Sequence, residues 1–236
     1  MSLLAKYKNG NYTVLLFDNG TKIRVNDLDN LTPAFAESMD INITAKCDNN
    51  CSFCYANCTP EGKHANLFQP LFDSLHPGTE IAINGNDLSH PQLVPFLQKM
   101  QNKGIIVNMT VNQRHFIKYF NFIKALIDRK LIYGIGISLV DSSDPMLFTY
   151  ISQLPNAVLH TIDGLLTEED IKNLSDKNIK LLILGYKVIG RGDLYYHTNK
   201  EKIEANITRL ANTIMSLKEH FAVVSFDNLD LETYLR

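Results

Sequence analysis

The sequence predicts an α/β protein: a partial (β/α) barrel of about six to seven units, preceded by an N-terminal β-hairpin. Three observations carry this expectation. The first segment has hairpin chemistry, short apolar runs then alternate with amphipathic helices, and the helices are bracketed by recognisable end signals. With 236 residues and 45% apolar side chains, the chain can bury one sizeable core.

The elements follow in order. Residues 12–17 and 21–25 are rich in strand formers, and Asn19-Gly20 between them suits a type I′ turn. A polar stretch, 26–30, then separates this hairpin extension (1–30) from a barrel domain (31–236). Strands are expected at 41–45, 80–84, 105–111, 132–140, 157–162, 180–188 and 221–226. Ser89, His90 and Pro91 open a helix that Lys103-Gly104 closes. Thr167, Glu168, Glu169 and Asp170 form a capping-box sequence. Ile203, Ile207, Leu210, Ile214 and Leu217 share one face of a long helix. Alternation of this kind, with mostly continuous apolar strands, argues for parallel pairing covered by helices. A doubly wound open sheet is the alternative, and both architectures place ligands at the carboxyl ends of the strands.

Charge is nearly balanced, with 23 Lys and Arg against 25 Asp and Glu, so nothing favours nucleic acid or an anionic membrane as partner. No run approaches the ~20 apolar residues of a membrane span, and Met1 to Gly10 lacks the apolar stretch of a signal peptide. A cytoplasmic protein is expected. The four cysteines agree, because all lie between Cys47 and Cys58. A secreted disulfide framework spreads its cysteines, whereas a tight cluster in a reducing compartment reads as metal binding.

Directly after the first parallel strand stands Cys47-Asp48-Asn49-Asn50-Cys51-Ser52-Phe53-Cys54, a C-x₃-C-x₂-C pattern. Three thiolates within eight residues can wrap one compact inorganic core, and the Asp and Asn residues tolerate the irregular backbone this needs. Three protein ligands leave a coordination position open, as catalytic metal sites do. A Cys₄ zinc site through Cys58 is disfavoured, since zinc modules usually split their ligands into distant pairs. A fully ligated, ferredoxin-like cluster is the stronger rival: through Cys58 the spacing is C-x₃-C-x₂-C-x₃-C, with Pro60 soon after.

The C-x₃-C-x-Φ-C pattern, with Phe53 before the third cysteine, resembles the motif of the radical S-adenosylmethionine superfamily. The resemblance implies a [4Fe–4S] cluster on Cys47, Cys51 and Cys54, with S-adenosylmethionine on the fourth iron. It implies reductive cleavage of that cofactor to a 5′-deoxyadenosyl radical that takes hydrogen from a substrate the sequence does not identify. An external flavodoxin- or ferredoxin-like electron donor follows from the same chemistry. Family members bind the methionine amino group at a glycine-rich turn after the second strand. Here that turn reads Asn84-Gly85-Asn86-Asp87, in which only Gly85 matches. Thr110-Val111-Asn112 resembles the family's Thr-Asn pair after the third strand, and Ser138 stands like the fourth-strand residues that contact the ribose or carboxylate. Phe53, Asn84, Gly85, Asn86, Asp87, Asn112 and Ser138 are therefore the expected cofactor contacts. The alternative function is a non-catalytic electron carrier or redox sensor with a fully cysteine-ligated cluster.

Lys187 and Arg191, in a glycine-flanked loop, are candidate anion ligands or plain surface cations. Phe116, Tyr119, Phe120 and Phe122 read as helix packing, and His64 receives no role. Cys58 is expected to be a buried, uncoordinated thiol.

Overall fold

A computed structural model describes residues 1–86 and 88–227. The chain opens with three antiparallel strands, β1 (Leu3–Asn9), β2 (Tyr12–Phe17) and β3 (Lys22–Val25), in the order β1-β2-β3. The expected hairpin is β2–β3, but its turn is not type I′. Only Gly20 takes a positive φ, and its N–H closes the turn on the Phe17 carbonyl at 3.0 Å. Strand β1 escaped the sequence reading. Tyr12, Val14 and Leu16 bury one face of this sheet. Tyr12 and Arg24 both bond Glu37, and Lys22 pairs with Glu80, which docks the sheet at the amino ends of the strands that follow.

Those strands and their helices run β4 (Ser38–Ile41), α1 (Pro70–Ser74), β5 (Glu80–Asn86), α2 (Leu93–Asn102), β6 (Ile106–Asn112), α3 (Gln113–Lys118), α4 (Phe120–Asp128), β7 (Gly134–Ser138), α5 (Pro145–Ile151), β8 (Ala157–Ile162), α6 (Glu168–Leu174), β9 (Lys180–Leu184), α7 (Arg191–His220) and β10 (Val223–Phe226). The seven strands β4 to β10 form one parallel sheet in strict chain order, curled into a half-barrel. A doubly wound sheet reverses direction part-way along its strand order. This one never does, so the barrel-type reading holds and the doubly wound alternative falls.

The helix signals hold with shifts. The Thr167–Asp170 capping box is present in full. Gly104 takes the left-handed conformation that ends α2, but that helix begins at Leu93, with Pro91 in the preceding turn. Ile203, Leu210 and Leu217 are the buried residues of α7 expected from its periodicity, beyond a local break at Asn199. Of the four aromatics read as packing, Phe116 and Phe120 are buried and Phe122 is exposed.

One expectation changes in a way that matters for the site. The central strands are not continuously apolar but alternate. Ile81, Ile83, Met109, Ile135, Ile137, Leu159 and Leu181 face the helices, where they join Phe96, Phe116, Ile123, Leu147 and Leu210 in one core. Each such side chain contributes roughly 1.5–3 kcal/mol by leaving water. The opposite, concave face is only partly buried and carries Asn108, Thr110, Asn112, Ser138 and His160. Helices cover one face of the sheet, and the other is only partly buried.

Candidate metal centre

The regular part of the first parallel strand is Ser38–Ile41, earlier than the expected 41–45. Beyond it the chain leaves the sheet and pairs with its own returning limb. Ala45 N–H bonds the Lys63 carbonyl (2.9 Å), Cys47 N–H bonds Thr59 (2.9 Å), and Ala65 N–H bonds Ile43 (2.9 Å). The result is a two-limbed arm whose tip holds all four cysteines. Asn50 and Asn57 take positive φ at the tip, a conformation asparagine adopts more readily than most side chains. Cys54 N–H bonds the Cys51 carbonyl at 3.3 Å, which places the second and third motif cysteines in one turn.

Cys47, Cys51 and Cys54 are half-buried, and Cys58 is buried. Burial, reinforced by the neighbouring sulfurs of Cys47 and Cys54, raises the Cys51 thiol above its ordinary pKa. Burial and Cys54 push Cys58 up to about 11. In both Cys51 and Cys58 burial is the larger cause and a neighbouring sulfur the smaller one. Among the described residues, no three Cys, His, Asp or Glu side chains already stand in metal-binding geometry.

The tip is braced from three sides. His115, buried at the start of α3, sets Nε2 2.7 Å from Asp48 while its Nδ1 lies 3.1 Å from Asn49 Nδ2. Asn49 also donates to Cys47 Sγ at 3.4 Å. From β5, Asn84 accepts from Ile43 N–H (2.6 Å) and donates to the Thr44 carbonyl (3.0 Å). Asn86 donates to the Thr44 and Lys46 carbonyls (3.1 and 3.2 Å) and to Cys58 Sγ (3.6 Å).

The third brace comes from the far edge of the half-barrel. Arg191, the first residue of α7, gives its backbone N–H to Cys54 O (3.1 Å) and Asn57 Oδ1 (2.8 Å). Its guanidinium donates to the Cys51 and Cys58 carbonyls, each at 3.0 Å. Gly190, at φ +59°, leaves no room for a side chain against the Tyr55 carbonyl. The arm that leaves the first strand of the sheet therefore crosses the mouth and is clasped beyond β9.

Each expected contact can now be placed. Phe53 packs edge-on to Tyr195 of α7, with ring centroids 5.9 Å apart. Asn84 and Asn86 are saturated by the arm. A Cβ at Gly85 would lie 2.9 Å from Met109 Sδ and Val111 Cγ1, so glycine is needed there for packing on the core face. Asp87 lies outside the described residues. Asn112 caps α3 by accepting from Arg114 N–H at 2.9 Å. Ser138 ends β7 in register with Asn112 and His160. The structure thus gathers Asn112 and Ser138 on the concave wall, and Asn84 and Asn86 under the cysteine arm. Arg191 is a clasp and not an anion ligand, and Lys187 lies over the Tyr55 ring at 4.4 Å. His64 bonds Thr44 (2.9 Å) and lines a cleft of about 290 Å³ with Cys58, Lys63 and Asn84.

Sequence reasoning gave Asp48 and Asn49 only a backbone role and missed His115 and His160. The alternation of polar and apolar residues at 108–112 was the available signal for the wall. No family model matches the chain, and no curated protein matches it. No helix among the described residues is long and apolar enough to cross a membrane.

Proposed function

We propose that the chain is a radical S-adenosylmethionine enzyme that holds a [4Fe–4S] cluster on Cys47, Cys51 and Cys54. One observation carries the reading. The C-x₃-C-x₂-C segment sits on a braced arm at the carboxyl mouth of a singly wound parallel half-barrel, where such folds place chemistry. The donor set fits the group in its chemistry: three cysteines on one short braced loop, a nearby amide at Cys47, and a guanidinium behind the loop carbonyls. The chemistry a bound cluster supplies is one-electron cleavage of S-adenosylmethionine to methionine and a 5′-deoxyadenosyl radical, which takes a hydrogen atom from substrate. The protein's residues position and shield. Arg191, His115 and Asn86 fix the arm, Asn112 and Ser138 offer polar contacts to the cofactor, and Phe53 with Tyr195 packs the outer side of the tip. An external flavodoxin- or ferredoxin-like donor in a reducing cytoplasm completes the scheme.

A second reading, a closed four-cysteine cluster in an electron carrier or redox sensor, is favoured by the contact between the Cys54 and Cys58 thiols. Against it, Cys58 is more buried than the other three cysteines and its sulfur already accepts from Asn86. Anaerobic reconstitution separates the readings. The first expects about four irons and four sulfides, loss of cluster in Cys47→Ala, Cys51→Ala or Cys54→Ala, and slow S-adenosylmethionine cleavage by the reduced protein. It expects Cys58→Ser to keep both cluster and cleavage. Stoichiometric zinc without sulfide sinks both readings. An intact reduced cluster that leaves S-adenosylmethionine uncleaved, or S-adenosylmethionine binding gained only in Cys58→Ser, establishes the second.

A further inference from the structure

The concave wall holds polar groups that the fold does not use. Asn108, Thr110, Ser138 and His160 lie on three adjacent strands, all partly exposed. None of their side chains has a hydrogen-bond partner among the described residues, and none ends a helix or bonds the cysteine arm. Their polar atoms stay open to solvent, so a ligand can take the place of water there.

Glycines make room for them. A Cβ at Gly136 would lie 2.6 Å from His160 Nε2 and 2.8 Å from Thr110 Oγ1, and one at Gly134 would lie 2.9 Å from Asn108 Oδ1. The imidazole therefore lies across Gly136 towards Thr110, below the row of Asn112, Ser138 and His160. Past His160 the same face turns apolar, through Ile162 beside Leu184 and through Leu182.

Charge narrows the ligand. Among the described residues of β5 to β9, the charged side chains are Glu80 and Lys180, both at the amino ends. Glu80 is paired with Lys22, and Lys180 bonds the Pro155 carbonyl at 2.8 Å. Burial holds the His160 imidazole neutral, with its pKa lowered to about 4. The wall offers amides, two hydroxyls and a neutral imidazole, and its described strand residues bring no cation to compensate a buried carboxylate or phosphate.

We infer that Asn108, Thr110 and His160 form a subsite for the substrate, a neutral organic molecule with a hydrogen-bonding edge at His160 and an apolar part against Leu182 and Ile162. This inference rests on the radical-enzyme reading only for what then happens to the bound molecule.

The test incubates the reconstituted protein, with saturating S-adenosylmethionine, with a defined equimolar mixture of neutral amides, alcohols and N-heterocycles and their carboxylate and phosphate counterparts. Bound species are identified by mass spectrometry. Wild-type protein should enrich neutral members, and His160→Gln and Thr110→Val should each lower that enrichment more than tenfold. Both variants should keep the wild-type circular dichroism spectrum, iron content and S-adenosylmethionine affinity. Enrichment of the anionic members, no enrichment, or equal enrichment by both variants overturns the subsite. A matching loss of S-adenosylmethionine affinity in His160→Gln also overturns it, because His160 then belongs to the cofactor site. If wild-type protein binds no iron yet enriches neutral members in a His160-dependent way, the subsite stands and the radical-enzyme reading fails.

Discussion

The cysteine arm and the concave wall are both polar and lie at the same end of the half-barrel, but they treat their hydrogen bonds in opposite ways. On the arm, Asn49, Asn84, Asn86, His115 and Arg191 each bond protein atoms, and several bond two. On the wall, Asn108, Thr110, Ser138 and His160 bond nothing described. A saturated network fixes geometry before any ligand arrives. An unsaturated one keeps its capacity for a ligand that comes and goes. The first suits a resident inorganic group, the second a cofactor or substrate.

The comparison breaks most visibly at the clasp. Arg191→Ala removes two charge-assisted bonds to the arm, each typically ~1.5–3 kcal/mol. Amide exchange across 47–58 in the apoprotein should accelerate about a hundredfold, while α2 and β6 keep their protection. Unchanged exchange at the arm would mean that β5 alone holds it. Next in size is Asn86→Ala, which deletes two bonds to arm carbonyls and places alanine at φ +42°. A loss of roughly 1–3 kcal/mol is expected in denaturant melts. Asn86→Gly relieves the backbone strain but not the lost bonds, so it should recover only part of that loss.

A further effect belongs to the wall and depends on pH. His160 has a folded-state pKa near 4, below the ordinary imidazole value of about 6.5. Between those values the unfolded chain binds the proton more tightly than the folded one. Stability is therefore full above pH ~6.5 and falls as pH drops towards 4. His160→Gln should flatten that part of the curve of midpoint against pH. An unchanged slope would show that the ring is better hydrated than its position on the wall implies.

Much of this was legible in the sequence, and the rest was hidden for physical reasons. The seven strands of the half-barrel emerged because their core-facing Ile, Leu and Val residues dominate each run, whichever face they serve. The polar face was masked by the same dominance: Asn108, Thr110 and Asn112 read as interruptions instead of a second face. The cysteine spacing was legible because its geometry is local, within eight residues. Its braces were not, since Asn49 meets a histidine 66 residues away and Arg191 meets Cys51 across 140. Local rules also placed the first strand too late, because residues 43–45 have strand composition but pair with their own loop. Arg191, flanked by Gly190 and Gly192, has the sequence character of an anion site. Only the fold shows that peptide carbonyls take its donors.

The smallest predicted effect is the most discriminating. If Thr110 and Ser138 serve ligands and not the fold, Thr110→Val and Ser138→Ala should leave the free protein's stability within about ±0.5 kcal/mol. Both hydroxyls lack partners among the described residues, so their loss breaks no bond seen there. Val matches Thr in shape, and removing an unsatisfied hydroxyl from a half-buried face can even stabilise slightly. The same kind of change on the arm, Asn84→Ala, removes an acceptor for Ile43 N–H and a donor to Thr44 O, and should cost ~1–3 kcal/mol. Thermal melts of the three variants in one buffer, without iron or S-adenosylmethionine, make the comparison. If Thr110→Val or Ser138→Ala falls as far as Asn84→Ala, then the wall hydroxyls are structural and the division between a fixed arm and a receptive wall is wrong. If they hold while S-adenosylmethionine binding weakens in Ser138→Ala, the wall's groups are assigned to ligands by a measurement independent of turnover.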